Sequence, residues 1–214
     1  MKISAKVLLC SAVALSFSHI PAHAALEMYS DFETPAGYVN AVGGSAAMAR
    51  LNGVAPIFID DAPTVIASRS KKSLRLGGAG FVYFTDTDSP ELSDAWTIST
   101  FVKFDSKVSG TQTIVMRPGG WTWQADLARR VATFVVFGSK NPLNFALPAN
   151  FAGKWHMLTL VKSGTSVEFF IDAKSQGKKE LTDSYPAFGA LYVGAASSKA
   201  GKAAHADIDD LSIW

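Results

Sequence analysis

The chain has 214 residues, 48% hydrophobic and 18% charged, with 20 basic against 18 acidic side chains and a single cysteine. So even a charge balance provides no field to steer nucleic acid or an anionic membrane. A lone cysteine forms no intrachain disulfide, so stability has to come from burial.

The N-terminus places Lys2 and Lys6 before an apolar run from Val7 to about Phe17, followed by Ala22-His23-Ala24. That order of charge, apolar core and small-residue cleavage site predicts a secretory signal peptide over residues 1–24. Its apolar core is shorter than the roughly 20 residues a membrane-spanning helix needs. Cys10 follows Leu9, where a lipoprotein signal has a small residue, and is read as part of the peptide. Cleavage would remove the cysteine and both early lysines, leaving residues 25–214 cysteine-free and charge-neutral. This combination fits one exported domain of a bacterial periplasmic or secreted protein, with no further domain, tail or membrane span expected.

After residue 24 the pattern is that of short strands. Leu26 to Glu33 reads as the first, closed by Pro35-Ala36-Gly37. Residues 38–62 carry the weakest signal and are read as irregular, with one helical turn around Ala46 to Leu51. Thr64 to Ser68 is a short strand, followed by Ser73-Leu-Arg-Leu-Gly-Gly and Gly80-Phe-Val-Tyr-Phe-Thr-Asp. Ala95 to Phe104 alternates clearly, with Trp96, Ile98, Val102 and Phe104 on one face and Phe101 on the other.

Gln112 to Arg117 precedes Pro118-Gly119-Gly120, and the runs from Trp121 and Arg130 pair as a hairpin around Ala128 to Arg130. A short strand near Asn144 to Leu147 leads to the clearest signal in the chain, Trp155 to Asp172. There Val167, Phe169 and Ile171 recur with period two, and Ser163-Gly164-Thr165 supplies a turn. A polar loop rich in Lys, Gly and Ser follows, then strands at Ala190 to Ala195 and Ala206 to Trp214. Many short strands at such spacing predict an all-β antiparallel two-sheet sandwich or jelly roll.

Aromatic residues supply the binding candidates. Trp121 and Trp123 lie two apart in one strand, just after Arg117, with Phe134 and Phe137 in the strand opposite. Indole faces stack on sugar rings, and a guanidinium orients hydroxyls or acids. The same stripe, Trp121, Trp123, Ala125 and Leu127, also reads as core-facing, which takes at least one of the tryptophans. Thr122, Gln124 and Asp126 would then line a polar opposite face.

Nucleophilic catalysis finds no set of residues here. No cysteine remains after cleavage, no G-x-S-x-G elbow is present, and only His156 and His205 remain to act as base. His156 is assigned to packing or hydrogen bonding, and His205 to an exposed loop. Two scattered histidines do not make a zinc site.

The segments Lys71 to Phe104, Trp155 to Gly177, Ala190 to Ala195 and Ala206 to Trp214, in that order, resemble the laminin G-like jelly-roll domains of the concanavalin A-like lectin and glucanase superfamily. The resemblance extends over about residues 26–214. It implies two curved antiparallel sheets face to face, adjacent first and last strands, and a concave face that often holds ligands. One departure is Ala173, where a glycine usually follows the aspartate.

The resemblance does not imply a single activity. Its glycosidases need two carboxylates on one face, about 5 to 9 Å apart, and carry spaced glutamates on a strand. Glu27, Glu33, Glu91, Glu168 and Glu180 make no such array, and Asp86 and Asp88 fall where a strand runs into a polar loop. Related jelly rolls also hold a structural calcium between the first and last strands, which here would recruit Asp31 or Glu33 with Asp209, read as half-buried beside Leu211 and Ile213.

The expected function is therefore an exported non-catalytic module for glycan or another extracellular surface, with Arg117, Trp121, Trp123, Gln124 and Asp126 as ligand-binding candidates and a possible calcium as the one cofactor. The alternatives are a carbohydrate-active enzyme with a diverged site, or an assembly protein that binds another protein.

Overall fold

The structure is a computed structural model that describes residues 25–33, 48–51 (backbone), 55–64, 71–78, 80–87, 89–195 and 203–214. The expected signal peptide, residues 65–68 of an expected strand, and Asp88 lie outside the described residues. Fifteen strands are found among them: β1 (Met28–Ser30), β2 (Met48–Leu51), β3 (Ile57–Ile59), β4 (Ser73–Gly77), β5 (Gly80–Phe84), β6 (Ala95–Phe104), β7 (Thr111–Arg117), β8 (Trp121–Asp126), β9 (Val131–Val136), β10 (Leu143–Ala146), β11 (His156–Ser163), β12 (Ser166–Ile171), β13 (Lys174–Glu180), β14 (Leu191–Val193) and β15 (His205–Ile213).

They form two antiparallel sheets. The larger runs β13-β12-β11-β6-β15-β4-β3, with β1 paired to β15, and the smaller runs β10-β9-β8-β7-β14-β5-β2. First and last strands are adjacent, Met28 opposite Ile213. Period-two alternation supplies one apolar face per sheet, and the two faces close on each other. Trp96, Ile98, Leu158, Leu160, Val167 and Phe169 from the larger sheet meet Val115, Trp121, Trp123, Phe134 and Val193 from the smaller.

The β11–β12 hairpin forms as its pattern predicts, Ser163 opposite Ser166 across Gly164-Thr165, with Gly164 at φ 57°. The next turn, Asp172-Ala173, joins β12 to β13 with both residues at positive φ, 51° and 63°. Ala173 thus adopts the backbone a glycine would hold, and the hairpin forms despite the substitution.

Four local expectations change. Met48–Leu51 is a strand paired with β5 rather than part of a helical turn. Ile57–Ile59 is an edge strand inside the region read as irregular. Lys174–Glu180, read as a loop, is the other edge strand of the larger sheet. It is almost entirely exposed on both faces, so it carries no apolar alternation, and its lysines discourage further edge pairing. Finally, Asp209 is fully buried. A bulge between Asp209 and Ser212, with Asp210 at φ 47°, shifts the alternation by one residue, so Ile208 joins Leu211 and Ile213 in the core.

Candidate functional site

Three of the predicted ligand residues belong to the interior. Trp121 and Trp123 are 0% and 1% exposed. Trp121 stacks on Trp96 at 6.0 Å between centroids and tilts against Phe134 at 5.3 Å, while Trp123 meets Phe169 edge-on at 6.1 Å. The reading that kept one tryptophan free for a sugar is corrected, because β8 directs both inward with Ala125. Phe134 is core as well, whereas Phe137, beyond the end of β9, is half exposed.

Arg117 pairs with Trp121 across the β7–β8 ladder and is fully buried. Its Nη2 donates to the Pro90 carbonyl at 2.8 Å, and its Nε and Nη1 have no partner among the described residues. Burial pulls its pKa below the ordinary guanidinium value, opposed by Tyr185 and Asp86. Beside it Trp96 Nε1 donates to the Tyr185 hydroxyl at 2.8 Å. Burial raises the pKa of that phenol. Arg117 therefore braces the loop through Pro90 instead of reaching solvent.

Gln124 and Asp126 do lie on the opposite face, as expected, and register shows what surrounds them. One row crosses the smaller sheet as Tyr83, Tyr192, Met116, Thr122 and Val135, each opposite the next. A neighbouring row reads Thr113, Gln124, Thr133 and Asn144. Tyr83 and Tyr192 are 5.5 Å apart between ring centroids, and Tyr192 stacks on Phe81 at 5.4 Å. Thr133 Oγ1 lies 3.0 Å from Asn144 Oδ1. Thr113, Met116 and Thr122 are only 3–6% exposed although their register places them on the face away from the core. With strands about 4.8 Å apart, the five-strand row spans roughly 19 Å.

Tyr83, Tyr192, Thr113, Thr133 and Asn144 were not singled out from sequence. Alternation within each strand marks them as outward-facing, but only the β5-β14-β7-β8-β9-β10 order aligns them. Asp126 sits at the margin. Its Oδ1 accepts the Arg129 N–H at 2.9 Å and its Oδ2 lies 3.6 Å from Arg129 Nε, so it caps the β8–β9 turn. Asp86 is exposed in a turn. His156 is held structurally, its Nδ1 at 2.7 Å from Asp172 Oδ2 and its ring stacked on Phe151 at 4.7 Å.

The calcium candidates are engaged locally. Glu33 Oε1 accepts Lys71 N–H at 2.7 Å, Asp31 Oδ1 accepts Glu33 N–H at 3.3 Å, and Asp209 Oδ1 accepts Asp210 N–H at 2.9 Å. Among the described residues no three histidine, cysteine or acidic side chains converge on one point. Among the same residues no helix is long and apolar enough to cross a membrane.

Solved structures share this architecture. The receptor-binding domain of botulinum neurotoxin type G superposes with a TM-score of 0.64 at 11% identity, over 89% of this chain and 48% of that one. The binding domain of botulinum neurotoxin DC, solved with SialylT, gives 0.62 at 15% identity over 88% and 47%. Domain 4 of AbnA, a GH43 extracellular arabinanase from Geobacillus stearothermophilus solved with arabinotriose, gives 0.63 at 14% identity over 88% and 91%. The chain thus spans about half the length of the neurotoxin binding domains it matches. No curated protein matches significantly in sequence. The laminin G-like family pattern matches residues 76–214, from β4 through β15 and across both sheets, and the chain belongs to the concanavalin A-like lectin/glucanases superfamily.

Proposed function

We propose that the chain is an exported, non-catalytic module that binds glycan on the outward face of its smaller sheet. One observation carries this reading: an aromatic pair, Tyr83 and Tyr192, lies on the same face as a hydrogen-bonding row, Thr113, Gln124, Thr133 and Asn144. Aromatic faces take the apolar side of a sugar, and amides and hydroxyls take its hydroxyl groups. The neighbours' ligands support the class, since a neurotoxin binding domain was solved with SialylT and an arabinanase domain with arabinotriose. The binding domain of botulinum neurotoxin DC was also solved with rat synaptotagmin II, which keeps a protein ligand as the second candidate.

A glycan array followed by calorimetric titration tests the proposal. Gln124→Ala and Tyr192→Ala are each expected to weaken binding about tenfold or more, about 1.4 kcal/mol, with the fold intact. A blank array together with a blank pull-down from the native surroundings would count against it. The enzyme alternative would be revived by polysaccharide turnover that disappears in Asp86→Ala, Asp88→Ala or Asp126→Ala.

A further inference from the structure

The outward face of the larger sheet, on the opposite side of the sandwich, carries a cleft of about 400 Å³ lined by Arg75, Lys103, Asp105, Ser106, His205 and Asp207 among others. Its volume falls within the range of small-ligand clefts, roughly 300–1,000 Å³. The floor is rigid. Arg75 clasps Asp207 with two hydrogen bonds, Nε to Oδ1 at 2.8 Å and Nη2 to Oδ2 at 3.0 Å, and the Asp207 side chain is only 7% exposed. Lys103 pairs with Asp61, which also accepts the Trp155 indole N–H at 3.0 Å. A half-buried tryptophan outside the lining is thus held by the same carboxylate that neutralises Lys103.

The polar edges left over are specific. Arg75 Nη1, the Ser106 hydroxyl and the His205 ring have no hydrogen-bond partner among the described residues. Asp105 uses Oδ1 to accept the Lys107 N–H at 2.9 Å, which leaves Oδ2. A side chain at Gly78 would strike the His205 imidazole, and Gly153, at φ 83°, runs close to Ser106.

We propose that this cleft is a second ligand site that takes a neutral saccharide. Both cations already face a carboxylate, so the cleft offers no net field to an anion, and its free edges alternate donors with an acceptor as vicinal hydroxyls require. A plain surface ion-pair network would show the same two salt bridges, but it would not need a cleft of this volume with uncommitted polar edges along its lining. The site is independent of the face on the smaller sheet.

Nitrogen-15 NMR titration of the chain with neutral pentose and hexose trisaccharides, arabinotriose and cellotriose among them, and with sialyllactose as the acidic comparison tests this. The expected result is saturable shifts of the Gly77, Asp105, Ser106 and His205 amides and of the Trp155 indole N–H with at least one neutral trisaccharide. Ser106→Trp, at an exposed turn, is expected to abolish them while core amides stay in place. Arg75→Lys, which keeps the charge against Asp207 but loses the fork, is expected to weaken binding at least tenfold. The shifts should persist in the Gln124→Ala/Tyr192→Ala double variant, which separates this site from the other. If no neutral trisaccharide moves these signals, if only sialyllactose does, or if Ser106→Trp leaves them unchanged, the proposal is wrong.

Discussion

Asp172 holds both ends of one strand start: its Oδ2 lies 2.7 Å from His156 Nδ1 and its Oδ1 accepts the Met157 N–H at 2.9 Å. The carboxylate sits in a two-residue turn that both of its residues enter at positive φ, so the side chain fixes a conformation the backbone resists. Asp172→Ala is expected to lower stability by about 1–3 kcal/mol, losing two hydrogen bonds and a residue that tolerates the left-handed region. Asp172→Asn should retain most of it. Urea midpoints of the two variants decide this.

The neighbouring residue predicts the opposite sign. Ala173 at φ 63° carries a strain of about 1–2 kcal/mol that glycine does not. Ala173→Gly should therefore stabilise the chain, by about 0.5–1 kcal/mol once the greater freedom of unfolded glycine is counted. A lower urea midpoint would show the turn to be relaxed as it stands.

Gly194 lies between the sheets at φ 79°, and a Cβ there would come 2.0 Å from Leu76 Cδ1. Leu76 is 1% exposed and packed in the core, so it has little room to yield. Gly194→Ala should cost about 2–4 kcal/mol, combining overpacking with backbone strain. Thermal unfolding followed by circular dichroism measures it.

Arg117 allows a test of what a buried cation contributes. With one bond to the Pro90 carbonyl and two nitrogens unpartnered among the described residues, it is poorly compensated by them for its burial. Arg117→Met, similar in volume and uncharged, should be neutral or stabilising by about 1 kcal/mol. Arg117→Ala should cost about 2–4 kcal/mol through the cavity it opens. Equal losses from both would assign the guanidinium a bonding role that its geometry does not display.

Asp61 ties the cleft to pH. Burial by itself would raise its pKa, but hydrogen bonds from Lys103 and Trp155, and the charges of Lys103 and Arg75, outweigh burial and leave it below the ordinary aspartate value. A carboxyl depressed in the folded state binds its proton more weakly than in the unfolded chain. Its contribution is thus complete above the unfolded value of about 3.9 and is lost as pH falls below that through the folded value. Asp61→Asn should flatten the acid limb of the stability curve there and leave it parallel to the parent above about pH 5. An unchanged acid limb would show the network to be open to solvent.

How much of this could be read in the sequence follows from where information is stored. Strands with one buried face, such as Trp96 to Phe104 or Val167 to Ile171, announce themselves because alternation is imposed by the core. The edge strand Lys174–Glu180 stayed hidden because its order comes from bonds to β12 and not from burial. Asp209 was placed on the core-facing side with Leu211 because a bulge leaves no mark in composition. The face with Tyr83, Tyr192 and Gln124 was half visible: Gln124 could be placed opposite the tryptophans, but its neighbours come from strands far away in the chain. Trp121 and Trp123 misled for a related reason, since the chemistry that suits a sugar ring suits a hydrophobic core equally well.

The position of β15 has a consequence for how the protein is made. It lies between β6 and β4 and also carries β1, so the larger sheet has a gap at its middle until residues 205–213 are in place. A growing chain can form the β11–β12 and β8–β9 hairpins locally, but it cannot close the sandwich before its final strand emerges. Contacts between residues so distant in sequence also make closure slow, on the order of milliseconds to seconds. The topology itself delays the finished fold and leaves β4 and β6 without their shared neighbour while the chain is being made.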